Sequence, residues 1–176
     1  MSARAARSSG VYLGLGSNDG DREHNLTQAL LLLREQARVL RVAGLYETEP
    51  VGVDGVQPWF LNTVAEVQTE LAPSALLAFI KQIERRMGRR HSSRGPRPID
   101  IDILLWGSQV INLPDLLIPH PRMHERPFVL DPLADLASRR RHPVLKKSVA
   151  YLKRAVRRQH AVRRVEWSSP PLATAC

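Results

Sequence analysis

The spacing of apolar residues switches between two periods along the first ninety positions, and each switch marks an element. Residues 11–16, Val-Tyr-Leu-Gly-Leu-Gly, form an apolar run stopped by Ser17-Asn18-Asp19-Gly20, which predicts a strand and a turn. From residue 21 to 37, Leu26, Ala29, Leu30, Leu33 and Ala37 recur at helical spacing, with Asp19 or Asp21 as the cap. Residues 39–47 and 59–70 predict a second and a third strand. Between them, residues 48–58 hold two glycines and two prolines, too long for a tight hairpin, and predict a mobile loop. Pro73 opens a second helix whose stripe is Leu76, Leu77, Phe79, Ile80, Ile83 and Met87, and Gly88 ends it.

Residues 97–105, Arg-Pro-Ile-Asp-Ile-Asp-Ile-Leu-Leu, place two carboxylates inside an apolar run. On a strand, alternate side chains share a face, so Asp100 and Asp102 point the same way, about 6.5–7 Å apart. Ile99, Ile101, Ile103 and Leu105 then form the core face, and Leu104 and Trp106 share the face of the acids. Beyond, a short strand is expected at 110–111, a proline-punctuated connection around His120, a short helix at 128–136 and an amphipathic helix at 144–158. The order β-α-β-β-α-β predicts an α+β fold: a ferredoxin-like core with antiparallel pairing of the second and third strands and extra C-terminal elements.

Composition narrows the class. The chain has 176 residues, 43% hydrophobic and 24% charged, enough for one domain with a good core. Nothing approaches the roughly 18 apolar residues of a membrane span, and no signal-type run follows the N-terminus. The lone Cys176 forms no internal disulfide or cysteine zinc cluster, which points to a reduced, cytoplasmic protein. The net charge of +9 is segregated: residues 137–176 carry eleven Lys and Arg against Glu166 alone, and the remainder is balanced. A basic block of this kind reads as a solvated, disordered tail over 156–176 in preference to a nucleic-acid arm.

Three features carry candidate chemistry. Gly14-x-Gly16 follows a strand, but Asp19 spoils the dinucleotide fingerprint and no Walker motif exists, so the glycines read as close packing and a turn. Paired acids on a strand are commonly a solvated face. Here apolar neighbours flank them, and carboxylates on such a surface call for a cation or hydrogen-bond donors. Mg²⁺ suits one or two carboxylates completed by water and phosphate oxygens, and two such ions can clamp a phosphoryl transfer. Arg89, Arg90, Arg94, Arg97 and Arg126 offer guanidinium forks for phosphates. His120, between Pro119 and Pro121, serves either as a phosphate donor or as a packed turn residue. Asn62, in the apolar third strand, matches a pterin or purine edge with its amide.

Gly14-Leu15-Gly16-Ser17-Asn18, Phe60-Leu61-Asn62, Gly88-Arg89, residues 95–102 and residues 119–130 together resemble the 6-hydroxymethyl-7,8-dihydropterin pyrophosphokinases, over residues 11–155. The resemblance implies an αβα sandwich, commonly monomeric, that transfers pyrophosphate from ATP to the pterin hydroxymethyl group in folate biosynthesis and releases AMP. It implies that Asp100 and Asp102 hold two Mg²⁺ ions. Arg89, Arg97, His120 and Arg126 would contact the phosphates, with Arg97 and Arg126 acting on the transferring group. Thr48, Val51, Phe60, Asn62 and Phe128 would form the pterin pocket, and Leu77, Glu84 and Ile103 would lie at the nucleotide. Arg94 departs from the aromatic residue common there, and Lys81 from a glutamine. Residues 1–10 and 156–176 fall outside the resemblance. Two rivals share features with it: a ferredoxin-like nucleic-acid module using the basic tail, and a phosphoryl transferase with another acceptor.

Overall fold

The computed structural model describes residues 10–50, 55–89, 95–169 and 171. Asp21 caps the first helix by accepting from the His24 backbone N–H at 3.0 Å, as its side chain and position predict. That helix, α1 (Arg22–Leu33), follows β1 (Val11–Ser17) and precedes β2 (Arg38–Val42) and β3 (Leu45–Thr48). Next come β4 (Phe60–Gln68), α2 (Pro73–Arg86) and β5 (Asp100–Trp106), then the hairpin β6 (Ile111–Leu113) and β7 (Leu116–Ile118). A 3-10 turn (Met123–Glu125), α3 (Pro127–Ala137), α4 (Val149–Ala155) and β8 (Val162–Val165) complete the order. Among these residues no helix is long and apolar enough to cross a membrane.

The main sheet runs β5-β1-β4-β3-β8, with β2 also paired to β4, and every pairing is antiparallel. This is the expected βαββαβ arrangement with an added edge. One face of the sheet buries Leu13, Leu15, Ile101 and Ile103 against Leu26 and Leu30 of α1 and Leu76 and Ile80 of α2. The other buries Tyr12, Val64 and Leu104 against Leu130 and Leu133 of α3 and Leu152 of α4. The result is an αβα sandwich with two separate cores.

Five expectations change, four of them local. The single strand at 39–47 is two, divided at Ala43-Gly44, where the Gly44 N–H turns away to Asp135 Oδ2 at 3.2 Å. Leu105 and Trp106 exchange faces: the β1–β5 register shifts between Tyr12 and Leu13, so Leu104 and Leu105 both face the α3 core and Trp106 returns to the α1–α2 side. The short strand at 110–111 lies at 111–113 and has a partner, β7, in a hairpin. The last helix begins only at Val149, capped by the Ser148 hydroxyl accepting from the Tyr151 N–H at 3.1 Å.

The largest change is at 156–169, expected as a detached tail. Arg158 forms a two-pronged pair with Asp131 of α3 at 2.8 and 2.9 Å. Residues Val162–Val165 pair with Leu45–Thr48, and the Trp167 indole donates to the Ala43 carbonyl at 3.2 Å. Arg163 reaches Glu47 and Arg164 lies 3.8 Å from Asp135. The positive charges of this segment therefore meet acids held by α3 and β3. A count of net charge along the chain does not reveal those partners.

Candidate active site

One end of the sheet gathers the site. The C-terminal ends of β1 and β3 and the N-terminal ends of β4, β5 and β8 meet there, and the chain between β3 and β4 and between α2 and β5 leaves from the same end. Asp100 pairs with Gly16 and Asp102 with Gly14, so no side chain on β1 stands beside either carboxylate. Gly16 also pairs with Asn62 on its other side, and a Cβ on Gly16 would lie 2.7 Å from Asn62 Oδ1. Close packing, as the glycine pair suggests, is thus what makes room for the amide.

A cavity of about 490 Å³ opens at this end, on the α3 face. Its walls include Asp100, Asp102, Arg97 and Arg126, together with Thr48, Phe60, Asn62 and Phe128. Asn62 and Thr48 are buried and joined by an Nδ2–H to Oγ1 hydrogen bond of 2.9 Å. The Arg97 guanidinium lies 5.8 Å from the Phe60 ring centre, and Arg126 lies 5.7 Å from that of Phe128. Each cation therefore borders an aromatic ring.

The two carboxylates have different partners. Asp100 accepts from Arg89 at 2.7 Å and Arg97 at 3.2 Å. Among the described residues Asp102 has longer-range company: His120 Nε2 at 3.9 Å and Arg126 at 3.8 Å. Burial, and then the charge of Asp100, push the Asp102 carboxyl up to about 6, against the pull of Arg126. Burial, reinforced by Arg126 and Arg122, drives His120 down to about 4, so its imidazole is neutral at pH 7.

Glu84, Leu77 and Ile103 lie outside the cavity walls. Ile103 is buried in the α1–α2 core, where Leu77 packs against the same cluster. Glu84, 2% exposed, ion-pairs with Arg89 and with Lys81 at 2.9 Å and accepts the Ile101 N–H at 3.0 Å. It therefore anchors Arg89, which reaches round to Asp100. Val51, Arg90 and Arg94, and with them much of the loops at 48–58 and 89–98, fall outside the described residues.

Asn18 has a role its sequence position in a turn does not announce. It is fully buried, exchanges two hydrogen bonds with the Arg97 backbone (2.8 and 3.1 Å) and donates to Gln57 Oε1 at 3.1 Å. It ties together the two segments that flank the cavity. Arg157, Gln159 and His160 also line the wall, supplied by the segment expected to be disordered. No periodicity marks them, because they belong to no regular element before β8.

Residues 12–138 match the family model described as 7,8-dihydro-6-hydroxymethylpterin-pyrophosphokinase. A Bacillus subtilis 2-amino-4-hydroxy-6-hydroxymethyldihydropteridine pyrophosphokinase is 48% identical over 129 residues, covering 72% of this chain and 77% of the relative. A Pisum sativum mitochondrial folate synthesis bifunctional protein is 49% identical over 128 residues, which cover 72% of this chain but 25% of that protein. In fold, the chain is similar to a Plasmodium falciparum HPPK-DHPS, with a TM-score of 0.69 at 20% identity over 84% of this chain and 43% of the other.

Proposed function

We propose a division of labour within the cavity from the premise that this chain belongs to the 7,8-dihydro-6-hydroxymethylpterin-pyrophosphokinase family and works as such an enzyme in folate synthesis. The pterin lies against Phe60 and Phe128, with the Asn62 amide and Thr48 hydroxyl on its polar edge. ATP lies with its phosphates between Arg97, Arg126, Arg89 and His120. Leu77, Ile103 and Glu84 support the nucleotide side from behind the sheet. The observation that carries this reading is the meeting of paired carboxylates, two arginines beside aromatic rings and a buried amide in one cavity.

The donor set fits magnesium. Asp100 and Asp102 share a face, and burial, then the charge of Asp100, raises the Asp102 carboxyl, a cost that a bound divalent cation would offset. Among the described residues no group of three or more His, Cys, Asp or Glu is gathered, so Asp100 and Asp102 would hold the two ions together with phosphate oxygens and water. Magnesium held by Asp100 and Asp102 would supply neutralisation of phosphate charge. Arg97 and Arg126 stabilise the charge that spreads over the transferring group. Neutral His120 donates a hydrogen bond to a phosphate oxygen from the nitrogen that carries its proton.

The test is nucleotide product. With ATP, Mg²⁺ and 6-hydroxymethyl-7,8-dihydropterin, AMP accumulates in step with pterin diphosphate. ADP as the product, or nucleotide turnover indifferent to the pterin, overturns the reading. Asp102→Asn retains the fold and loses at least about a hundredfold in kcat. A near-normal rate in that variant removes Asp102 from the metal cradle. The enzyme acts in the cytoplasm as a monomer, and light scattering of the full chain at assay concentration checks the second point.

A further inference from the structure

The strand order spreads the cavity along the end of the sheet. Asp100 and Asp102 stand on β5, and β1, β4 and β3 separate that strand from β8. At about 4.8 Å per strand, the β8 edge lies about 19 Å from the carboxylates. Phe60 and Asn62 on β4 and Thr48 on β3 fall between them. Phosphates beside the carboxylates and a heterocycle beside Asn62 therefore occupy opposite ends of the cavity, with β8 at the end of the heterocycle.

Strand β8 holds that end from both faces of the sheet. Thr48 lies opposite Phe60 in one ladder and Val162 in the other, so without β8 it would stand on a bare edge. Its hydroxyl accepts from the Asn62 amide at 2.9 Å, and any freedom of the edge becomes freedom of the amide. Where the chain leaves β3, the Glu49 N–H donates to the Ala161 carbonyl at 3.3 Å, and Glu49 Oε2 accepts the Ala161 N–H at 3.2 Å. His160 Nδ1 lies 3.6 Å from the same oxygen. Where the chain enters β4, the Arg163 guanidinium lies 5.3 Å from the Trp59 ring centre and pairs with Glu47. Arg22 adds bonds to the Trp59 carbonyl at 2.7 Å and to Glu47 at 2.8 Å. Residues 160–163 thus grip both points from which Thr48 and Phe60 project.

We propose that residues 157–165 build the acceptor end of the active site: β8 positions Thr48, and with it Asn62, while Arg157, Gln159 and His160 form the outer wall against which the heterocycle sits. All three line the cavity that Thr48, Asn62 and Phe128 also line. The wall is anchored without any ligand, since Arg158, between them in sequence, forks onto Asp131 of α3 at 2.8 and 2.9 Å. A guanidinium, an amide and an imidazole offer donors to the ring oxygen and ring nitrogens of a pterin. The match to the family model ends at residue 138, so this end of the cavity comes from chain outside it. Glu49 and the β8 residues act as positioning residues. The identity of the heterocycle rests on the pyrophosphokinase reading.

A triple variant with Arg157→Ala, Gln159→Ala and His160→Ala keeps β8 and removes the wall. Its pterin KM is expected to rise about tenfold while the ATP KM stays unchanged. Glu49→Ala frees the Ala161 N–H, so hydrogen exchange at that amide quickens and the pterin KM rises. Glu49→Gln, which keeps a carbonyl oxygen for the Ala161 N–H, restores both. A pterin KM unmoved in the triple variant, a rise shared equally by ATP, or no difference between the two Glu49 variants would overturn the proposal. If the unsubstituted chain makes no AMP with ATP, Mg²⁺ and the pterin, the functional reading fails instead. Exchange at Ala161 in the Glu49 variants then still decides whether residues 157–165 hold the edge of β3.

Discussion

Gly16 shows how much of the site depends on a missing atom. A methyl group there meets Asn62 Oδ1 at 2.7 Å, and Asn62 is held from the far side by Thr48. Gly16→Ala therefore displaces the amide from the cavity wall, lowers stability by about 1–3 kcal/mol and raises the pterin KM far more than the ATP KM. Urea melts and two-substrate kinetics check both parts, and equal changes in the two KM values contradict the assigned pterin edge. Glu84 is the opposite case, a buried acid whose worth lies in what it holds. Glu84→Gln loosens Arg89 and Lys81 and is expected to cost about 2 kcal/mol, read by the same melts. The two aspartates were legible because strand alternation alone puts them on one face. Asn18 was not, because its partners, the Arg97 backbone and Gln57, lie 79 and 39 residues away.

At the scale of elements, the period of apolar residues located β1, α1, β4, α2 and β5. It failed where the determinant was a bend or a distant partner. The division of β2 from β3 depends on Gly44 facing Asp135, and the exchange of Leu105 and Trp106 depends on a shift opposite Tyr12. Strand β8 was illegible for a simpler reason: Val162-Arg163-Arg164-Val165 is half charge, and its arginines become sheet-compatible only against Glu47 and Asp135. Arg158→Ala leaves the buried Asp131 with Lys153, at 3.4 Å, as its one charged partner among the described residues, and frees the segment that leads into β8. The expected loss is about 2 kcal/mol, discounted because Arg158 itself is half exposed. Hydrogen exchange should then quicken at Val162–Val165 and stay slow in β1. Uniform quickening would show that β8 is not a separable unit.

For the molecule as a whole, the αβα layering leaves one sheet end as the place where the two cores, the mobile-loop expectations and the charged side chains converge. Acid should undo it from the edge inward. Burial works against the ionised Asp131, but the Arg158 fork and Lys153 prevail and hold its carboxyl below the usual range. A depressed folded-state pKa gives stabilisation that is complete above the unfolded value of about 3.9 and is lost as pH falls through the folded one. Exchange at the β8 amides should therefore rise below about pH 4. Asp131→Asn should show raised exchange at pH 7 and no further acid step. A step that persists in the variant assigns the acid sensitivity elsewhere.

The pairing of β8 with β3 also sets the order in which a ribosome can deliver the enzyme. Arg163 and Glu47 are 116 residues apart, so β3 waits through most of synthesis with its outer hydrogen-bonding edge bare. A nascent chain stalled before residue 157 already holds Asp100, Asp102, Arg97 and Arg126. It lacks Arg157, Gln159 and His160, and with them one wall of the cavity. Such an intermediate offers an incomplete pocket beside an open sheet edge, which exposes unpaired backbone groups to other chains.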